Sequence, residues 1–284
     1  MVNYTSWRGI GDIESILGLL RFTSTDILMS SFLFEKEIRV FGMKRSGNST
    51  TASFIYGCLK SNEVIVFKNT NLSFNPVSNL RRRRIELFDK AIVEAEGGAK
   101  YFINGAEHMP IPIIRELLKP VYCYDGERER LAIKYKKDFF SRDVYNMVLL
   151  RSPHNNLAGI LKSRSRRHMA EVSEYYLGFL DLWLQYAEEV LCITDHIPNK
   201  IIVLFDKMVS SRSYRESISS ALDIPYTEDG INFIGKNIGD SFKTYRYHPK
   251  WWTADIYKKV LLHPKVMKYT KEIFDINLME CFDG

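Results

Sequence analysis

The stretch FGMKRSGNSTT, residues 41–51, decides the fold that we predict for this chain. The β-branched run EIRVFGM that leads into it is typical of a buried strand, and the apolar spacing of TTASFIYGCLK after it predicts a helix. Gly42 and Gly47 let the backbone turn tightly between these two elements. Amides of residues 46–50 would then point at an anion at the start of the helix, where the helix dipole favours negative charge.

Further strands and helices alternate along the rest of the chain. Apolar runs predict strands at 63–69, 100–109, 144–151 and 200–206, and helical spacing predicts helices at 78–96, after Pro153, at 168–192 and at 213–222. Such alternation indicates an α/β domain with a central parallel sheet of about five strands and helices on both faces. We expect a single domain with a helical N-terminal extension over 1–36, a core over 37–247 and a C-terminal helical segment over 248–284.

The composition narrows the range of functions. A net charge of +6 favours anionic ligands without choosing among them. The four cysteines are far apart and form no CxxC pair, so we expect no zinc site, no dense disulfide framework and a reducing, cytoplasmic setting. The first residues lack the pattern of a secretion signal, and no apolar stretch reaches the ~18 residues of a membrane span. The arginine run at 81–84 is interpreted as a solvated helix face, and no nucleic-acid partner is expected.

Polar side chains follow the predicted strands at their carboxyl ends, which meet at one edge of a parallel sheet. Lys44–Asn48, Asn69, Glu107–His108 and Arg151 would all lie at that edge. The sequence therefore predicts one concave site that these four segments share.

The loop departs from the standard ATP-binding motif GxxxxGK[ST], because Asn48 stands where that motif has lysine. A kinase or ATPase would need Lys44 or Arg45 to supply the missing charge. Asp206, at the end of the apolar run IIVLF, has the position of a magnesium-binding aspartate, but it is equally typical of a capping aspartate after a buried strand. The kinase alternative therefore stays open.

Two segments together, KRSGNSTT (44–51) and VLLRSPHNNLAG (148–159), resemble the sulfotransferase superfamily, and the RSGN form resembles its bacterial and phage subgroup. The resemblance implies a P-loop NTPase-like three-layer sandwich that binds 3′-phosphoadenosine 5′-phosphosulfate (PAPS). The first segment would hold the 5′-phosphosulfate through Lys44, Arg45, Ser46, Gly47, Asn48, Ser49 and Thr50. Arg151, with Pro153 after it, would hold the 3′-phosphate. The family's serine is replaced by Gly159, and Ser163, one turn later, would take its place.

Two further segments complete the resemblance. IGDSFKTYRY (238–247) resembles a segment that closes over the nucleotide, which implies donor contacts from Ser241, Phe242 and Lys243. AEHMP (106–110) resembles the family's catalytic segment and places His108 at the catalytic base, although other branches use a glutamate there, so Glu107 is a rival. Ala106 stands at the family's lysine position, and Lys44 would carry that role.

The resemblance implies transfer of a sulfuryl group from PAPS to a hydroxyl or amine of a small-molecule or glycan acceptor, by in-line displacement and without a metal. Two alternatives remain: a P-loop nucleotide kinase or related phosphotransferase, and a catalytically degenerate nucleotide-binding module. The acceptor and the oligomeric state cannot be read from the sequence.

Overall fold

A five-stranded parallel sheet forms the centre of the computed structural model, which describes residues 32–59, 63–67, 100–118, 139–164, 172–228 and 255–282. The strand order is β2-β3-β1-β4-β5. The strands are β1 (Phe32–Gly42), β2 (Val64–Phe67), β3 (Tyr101–Glu107), β4 (Phe139–Leu150) and β5 (Lys200–Leu204). Every pairing is parallel, so the predicted α/β class with about five parallel strands is confirmed.

Helices lie between the strands along the chain and continue after β5, the last strand. They are α1 (Asn48–Cys58), α2 (Ile111–Leu118), α3 (Pro153–Arg164), α4 (Val172–Val190), α5 (Phe205–Ser210), α6 (Arg212–Ala221), α7 (Asp255–Leu261) and α8 (Pro264–Phe274), with a final 3-10 turn at Met279–Cys281. The sequence did not predict α2 or the short α5. Within the described ranges, no helix has both the length and the apolar character that crossing a membrane requires.

The two faces of the sheet are covered by separate apolar layers, as successive side chains of a strand point to opposite faces. Ile38 and Val40 of β1 pack in the layer that includes residues of α1, α5 and α6. Phe41, on the same strand, packs with residues of α2, α3, α4, α7 and α8. The sheet is therefore the middle layer of three, and its strands read as nearly continuous apolar runs because both faces are buried.

The predicted helical extension over 1–36 is wrong at its end, because β1 already begins at Phe32. Phe34 is buried and stacks on Phe102 with ring centroids 5.4 Å apart. Residues 32–36 also pair with the start of β4, which begins at Phe139 rather than at 144. Pairing with a distant strand outweighs the helical spacing of this segment. The remainder of the extension and the predicted helix 78–96 lie outside the described residues.

One buried carboxylate fixes the connection from α4 to β5. Both side-chain oxygens of Glu189 accept hydrogen bonds, from Lys200 Nζ at 2.9 Å, from Thr194 Oγ1 at 2.7 Å, and from the backbone N–H groups of His196 and Ile197 at 3.0 to 3.1 Å. Burial alone would raise the pKa of Glu189, but these donors outweigh it and leave the pKa below its ordinary value. The cluster determines where β5 enters the sheet, and the end of β5 contributes to the site described next.

Candidate functional site

The loop between β1 and α1, residues 43–47, is closed by its own hydrogen bonds. The Ser46 N–H and Ser46 Oγ both donate to the Met43 carbonyl, at 3.1 and 2.7 Å. Asn48 Nδ2 donates to the same carbonyl at 3.0 Å. Ser46 and Asn48 are both buried. Their side chains therefore build the loop from within, whereas the sequence predicted contacts to a bound donor, a prediction that stays open for their backbone amides.

The start of α1 has the features of an anion site. Gly47 is the N-cap residue with φ 108°, no side chain of the described residues caps it, and the first turn carries no acidic residue. The first amides of a helix have no intrahelical acceptor, so they remain available to a ligand. In α6, by contrast, the side chain of the N-cap residue Ser211 accepts from the Tyr214 N–H. The two helices differ because Gly47 has no side chain, whereas Ser211 has a hydroxyl that accepts this bond.

The two basic side chains of the loop lie beside this helix start. Lys44 is half-buried and Arg45 is exposed, with Arg45 in a left-handed conformation at φ 64°. Within the part of the chain that the structure describes, neither cation has a carboxylate partner. They therefore add positive charge where the helix dipole already favours an anion. Ser49 is half-buried at the first turn, and Thr50 is buried.

Arg151 follows β4 and lies against the same loop. Its side chain is buried, and Nη1 donates to the Arg45 carbonyl at 3.2 Å. The guanidinium also stacks over the Phe205 ring, 4.9 Å from the ring centroid. The structure thus brings together the loop and Arg151, as the sequence predicted. The observed contacts of Arg151 support the loop, and its predicted contact with a 3′-phosphate stays a prediction.

Asp206, whose role the sequence left open between magnesium binding and capping, contacts the start of α3. Its Oδ2 accepts from the Ser152 N–H at 2.8 Å, and its Oδ1 accepts from Asn155 Nδ2 at 2.9 Å. Both oxygens are therefore engaged with the segment that follows Arg151, which is the geometry of a capping aspartate.

Sequence reasoning missed Phe205, the residue before Asp206. Its ring packs directly on the loop, because a Cβ added at Gly47 would lie 2.1 Å from Phe205 Cδ2. Phe205 is buried and begins α5 directly after β5, so the only sequence signal was an aromatic residue at the end of an apolar run.

The two candidate bases lie at the end of β3, next to the loop. The His108 N–H donates to the Gly42 carbonyl at 2.8 Å, with His108 in a left-handed conformation at φ 64°. Glu107 Oε1 lies 3.5 Å from Asn48 Nδ2. Both side chains are half-buried. The structure places both candidates beside the start of α1 and does not choose between them.

Among the other predicted residues, only Ser163 lies within the described ranges. Ser163 lies in α3, one turn after Gly159, as the sequence predicted. Ser241, Phe242 and Lys243, together with Asn69 and the arginine run, lie outside the described residues. Among the residues that are described, no three His, Cys, Asp or Glu side chains are grouped so that they could hold a metal ion.

Comparisons with known proteins add little to this geometry. No family model matches the chain, and no curated protein matches it. Among solved structures, it is similar to the crystal structure of mouse sulfotransferase SULT7A1 complexed with PAP, with a TM-score of 0.46 and 12% sequence identity over 92% of this chain and 93% of that chain. A likeness at this level does not assign an activity.

Proposed function

We propose that the chain is a sulfotransferase that transfers the sulfuryl group of PAPS to a hydroxyl or amine of a small-molecule or glycan acceptor. The start of α1 is the observation that carries this proposal. It combines a glycine N-cap that no described side chain caps with two loop cations, Lys44 and Arg45, that have no carboxylate partner among the described residues. Amides at a helix start and adjacent cations together suit a phosphate or sulfate group.

Two contacts favour a phosphosulfate donor over magnesium-ATP. Asn48, which replaces the lysine of the ATP motif, uses its amide to donate to the Met43 carbonyl inside the loop. Asp206, at the position of a magnesium-binding aspartate, has both oxygens engaged by Ser152 and Asn155. The groups that a kinase would direct at triphosphate and metal are therefore used here to build the protein.

The residues around the loop fit the chemistry of sulfuryl transfer. PAPS supplies the activated sulfuryl group when bound. Lys44 and Arg45 would neutralise negative charge that develops on the leaving phosphate, which is the kind of preorganised electrostatic stabilisation that lowers such barriers. His108 or Glu107 would take the acceptor's proton, and the hydrogen bond from the His108 N–H to Gly42 ties that strand end to the loop.

The test is a calorimetric titration of the full chain with adenosine 3′,5′-bisphosphate and, separately, with magnesium-ATP. We expect binding of the bisphosphate and a rise in Tm with its concentration. Binding of magnesium-ATP without the bisphosphate would overturn the proposal in favour of a kinase. Bisphosphate binding with no sulfuryl transfer to any of a broad panel of alcohols, amines and glycans would support a degenerate binding module.

Removing a loop cation is expected to weaken donor binding. Arg45→Ala and Lys44→Ala should each raise the Kd for the bisphosphate by about 10- to 100-fold, the range for losing one hydrogen bond to a charged group. Calorimetry at two salt concentrations measures the Kd of each variant for the bisphosphate. Arg142→Ala is the matched control, because this substitution removes the same charge near the amino end of β4, away from the loop. Equal affinity losses in Arg45→Ala and Arg142→Ala would show that the net charge of the protein, and not the position of Arg45, determines bisphosphate affinity.

The proton acceptor is expected to affect turnover more than binding. His108→Asn removes the base while keeping a residue that tolerates the left-handed backbone at φ 64°. We expect kcat to fall about 100-fold, the lower end of general-base contributions, with a change in bisphosphate Kd below about 3-fold. Glu107→Gln is measured in parallel. An active His108→Asn beside an inactive Glu107→Gln would assign the base to Glu107.

A further inference from the structure

We propose that Phe205 and Asp206, here called the junction pair, set the position of the two donor-binding segments relative to each other. The inference rests on the proposed function and deepens it. The first segment is the loop 43–47, and the second is 151–155, which runs from the end of β4 into the first turn of α3. The pair acts as positioning residues, because Phe205 packs on Gly47 of the first segment and Asp206 accepts hydrogen bonds from Ser152 and Asn155 of the second.

Phe205 fixes the first segment through its ring. The ring occupies the space beside Gly47 so closely that a Cβ at Gly47 would lie 2.1 Å from Cδ2 and 2.2 Å from Cε2. The ring also contacts Arg151, whose guanidinium lies 4.9 Å from the ring centroid and donates to the Arg45 carbonyl. The loop therefore packs against an aromatic ring that also contacts the second segment.

Asp206 fixes the second segment through its charge. Its two oxygens accept from the Ser152 N–H and from Asn155 Nδ2, at 2.8 and 2.9 Å. Asn155 also donates to Ser152 Oγ at 3.1 Å. An aspartate at the start of α3 is favoured by the helix dipole as well as by these charge-assisted bonds. Phe205 and Asp206, which are adjacent in the sequence, thus hold the two segments at the starts of α1 and α3.

The junction pair is itself anchored to the edge of the sheet. β5 is the last strand, so its free edge needs partners. The Leu204 N–H donates to Tyr214 Oη at 2.9 Å, and that hydroxyl donates to the Ile202 carbonyl at 3.2 Å. The phenol of a tyrosine is protonated at neutral pH and can donate, and burial raises the pKa of Tyr214 further despite the bond from Leu204. The residue before Phe205 is therefore fixed from outside the strand.

The first test is a reciprocal exchange at positions 155 and 206. In Asp206→Asn the side chain keeps one acceptor, but both of its partners donate, so one hydrogen bond is replaced by two facing donors. We expect the bisphosphate Kd to rise about 10-fold. In the double variant Asn155→Asp with Asp206→Asn, the amide at position 206 donates to the new carboxylate, while its oxygen still accepts from Ser152. We expect this exchange to restore the Kd to within about 3-fold of the original.

The second test compares two buried phenylalanines. Phe205→Leu keeps an apolar side chain but removes the aromatic ring that Gly47 and Arg151 contact. Phe34→Leu is the matched control, because Phe34 is buried to the same 1% exposure and stacks on Phe102 at the opposite end of β1. We expect a similar fall in Tm for both variants, and a rise of about 10-fold in the bisphosphate Kd for Phe205→Leu only.

Amide hydrogen exchange on the unliganded variants separates this inference from the proposed function. We expect faster exchange in peptides covering 43–51 for Phe205→Leu and 151–160 for Asp206→Asn, with neither change in Phe34→Leu and recovery in the exchanged double variant. Failure of the double variant to recover both exchange and affinity would overturn the inference, as would equal affinity losses in the two phenylalanine variants. If the original chain does not bind the bisphosphate, the proposed function fails, and the exchange rates alone decide the inference.

Discussion

Gly47→Ala is expected to destabilise the protein by about 3 kcal/mol and to raise the bisphosphate Kd more than about 30-fold, because two costs coincide. The backbone at Gly47 has φ 108°, a conformation that side-chain-bearing residues rarely adopt. The new methyl group would also lie 2.1 Å from the ring of Phe205, which is buried and cannot move aside without disturbing Arg151. The loop can accept a methyl group only by moving away from the ring, and that movement misaligns the first amides of α1.

Gly178→Ala provides the matched control for this prediction. Gly178 lies exposed in α4, and a Cβ there would meet nothing within 4 Å. Alanine has the higher helix propensity, so this variant is expected to be neutral or more stable by up to about 1 kcal/mol. Urea unfolding gives the stabilities and calorimetry gives the Kd. An unchanged Kd in Gly47→Ala would contradict the role assigned to the loop.

The elements of the fold that could be predicted are those with a local signal. The apolar runs of β4 and β5 predict buried parallel strands, and the turn around Gly47 predicts a strand–loop–helix unit. The start of β1 was missed because residues 32–36 are held in the sheet by pairing with residues far along the chain. Helix α2 was missed because Pro110 and Pro112 surround its first residue and read as a break, although proline is tolerated in a first helical turn.

The candidate site shows the same division between local and distant contacts. The sequence identified Lys44, Arg45 and Gly47 as site residues because they lie in one local strand–loop–helix pattern. Phe205 could not be found, since its partner Gly47 is remote in sequence and touches it only in the folded chain. The sequence singled out Asp206 but left its role open. A magnesium-binding aspartate and a capping aspartate differ only in which groups contact the carboxylate oxygens, and those contacts form only in the folded chain.

Glu189→Gln is expected to cost about 3 kcal/mol of the free energy of unfolding at neutral pH, the lower range for breaking a buried ion pair. The carboxylate accepts bonds from Lys200, Thr194 and two backbone N–H groups. An amide offers one oxygen to these donors and turns its own NH₂ group toward another. The control is Asp195→Asn, which removes the second partner of Lys200. Its side chain is 83% exposed, so a much smaller loss is expected.

The same carboxylate gives this prediction a pH dependence whose sign is fixed. The pKa of Glu189 is lower in the folded chain than its ordinary value of 4.5, so the unfolded chain takes up a proton first as the pH falls. The contribution of Glu189 is therefore fully present above about pH 5 and is lost progressively below pH 4.5, as the pH approaches the folded pKa. Because glutamine does not titrate, the stability difference between the original chain and Glu189→Gln should be constant from pH 6 to 8 (roughly the range free of carboxylate titration) and shrink below pH 4.5. Urea unfolding across this range measures it, and a difference that stays constant into acid would show that shape at position 189, and not charge, holds the entry to β5.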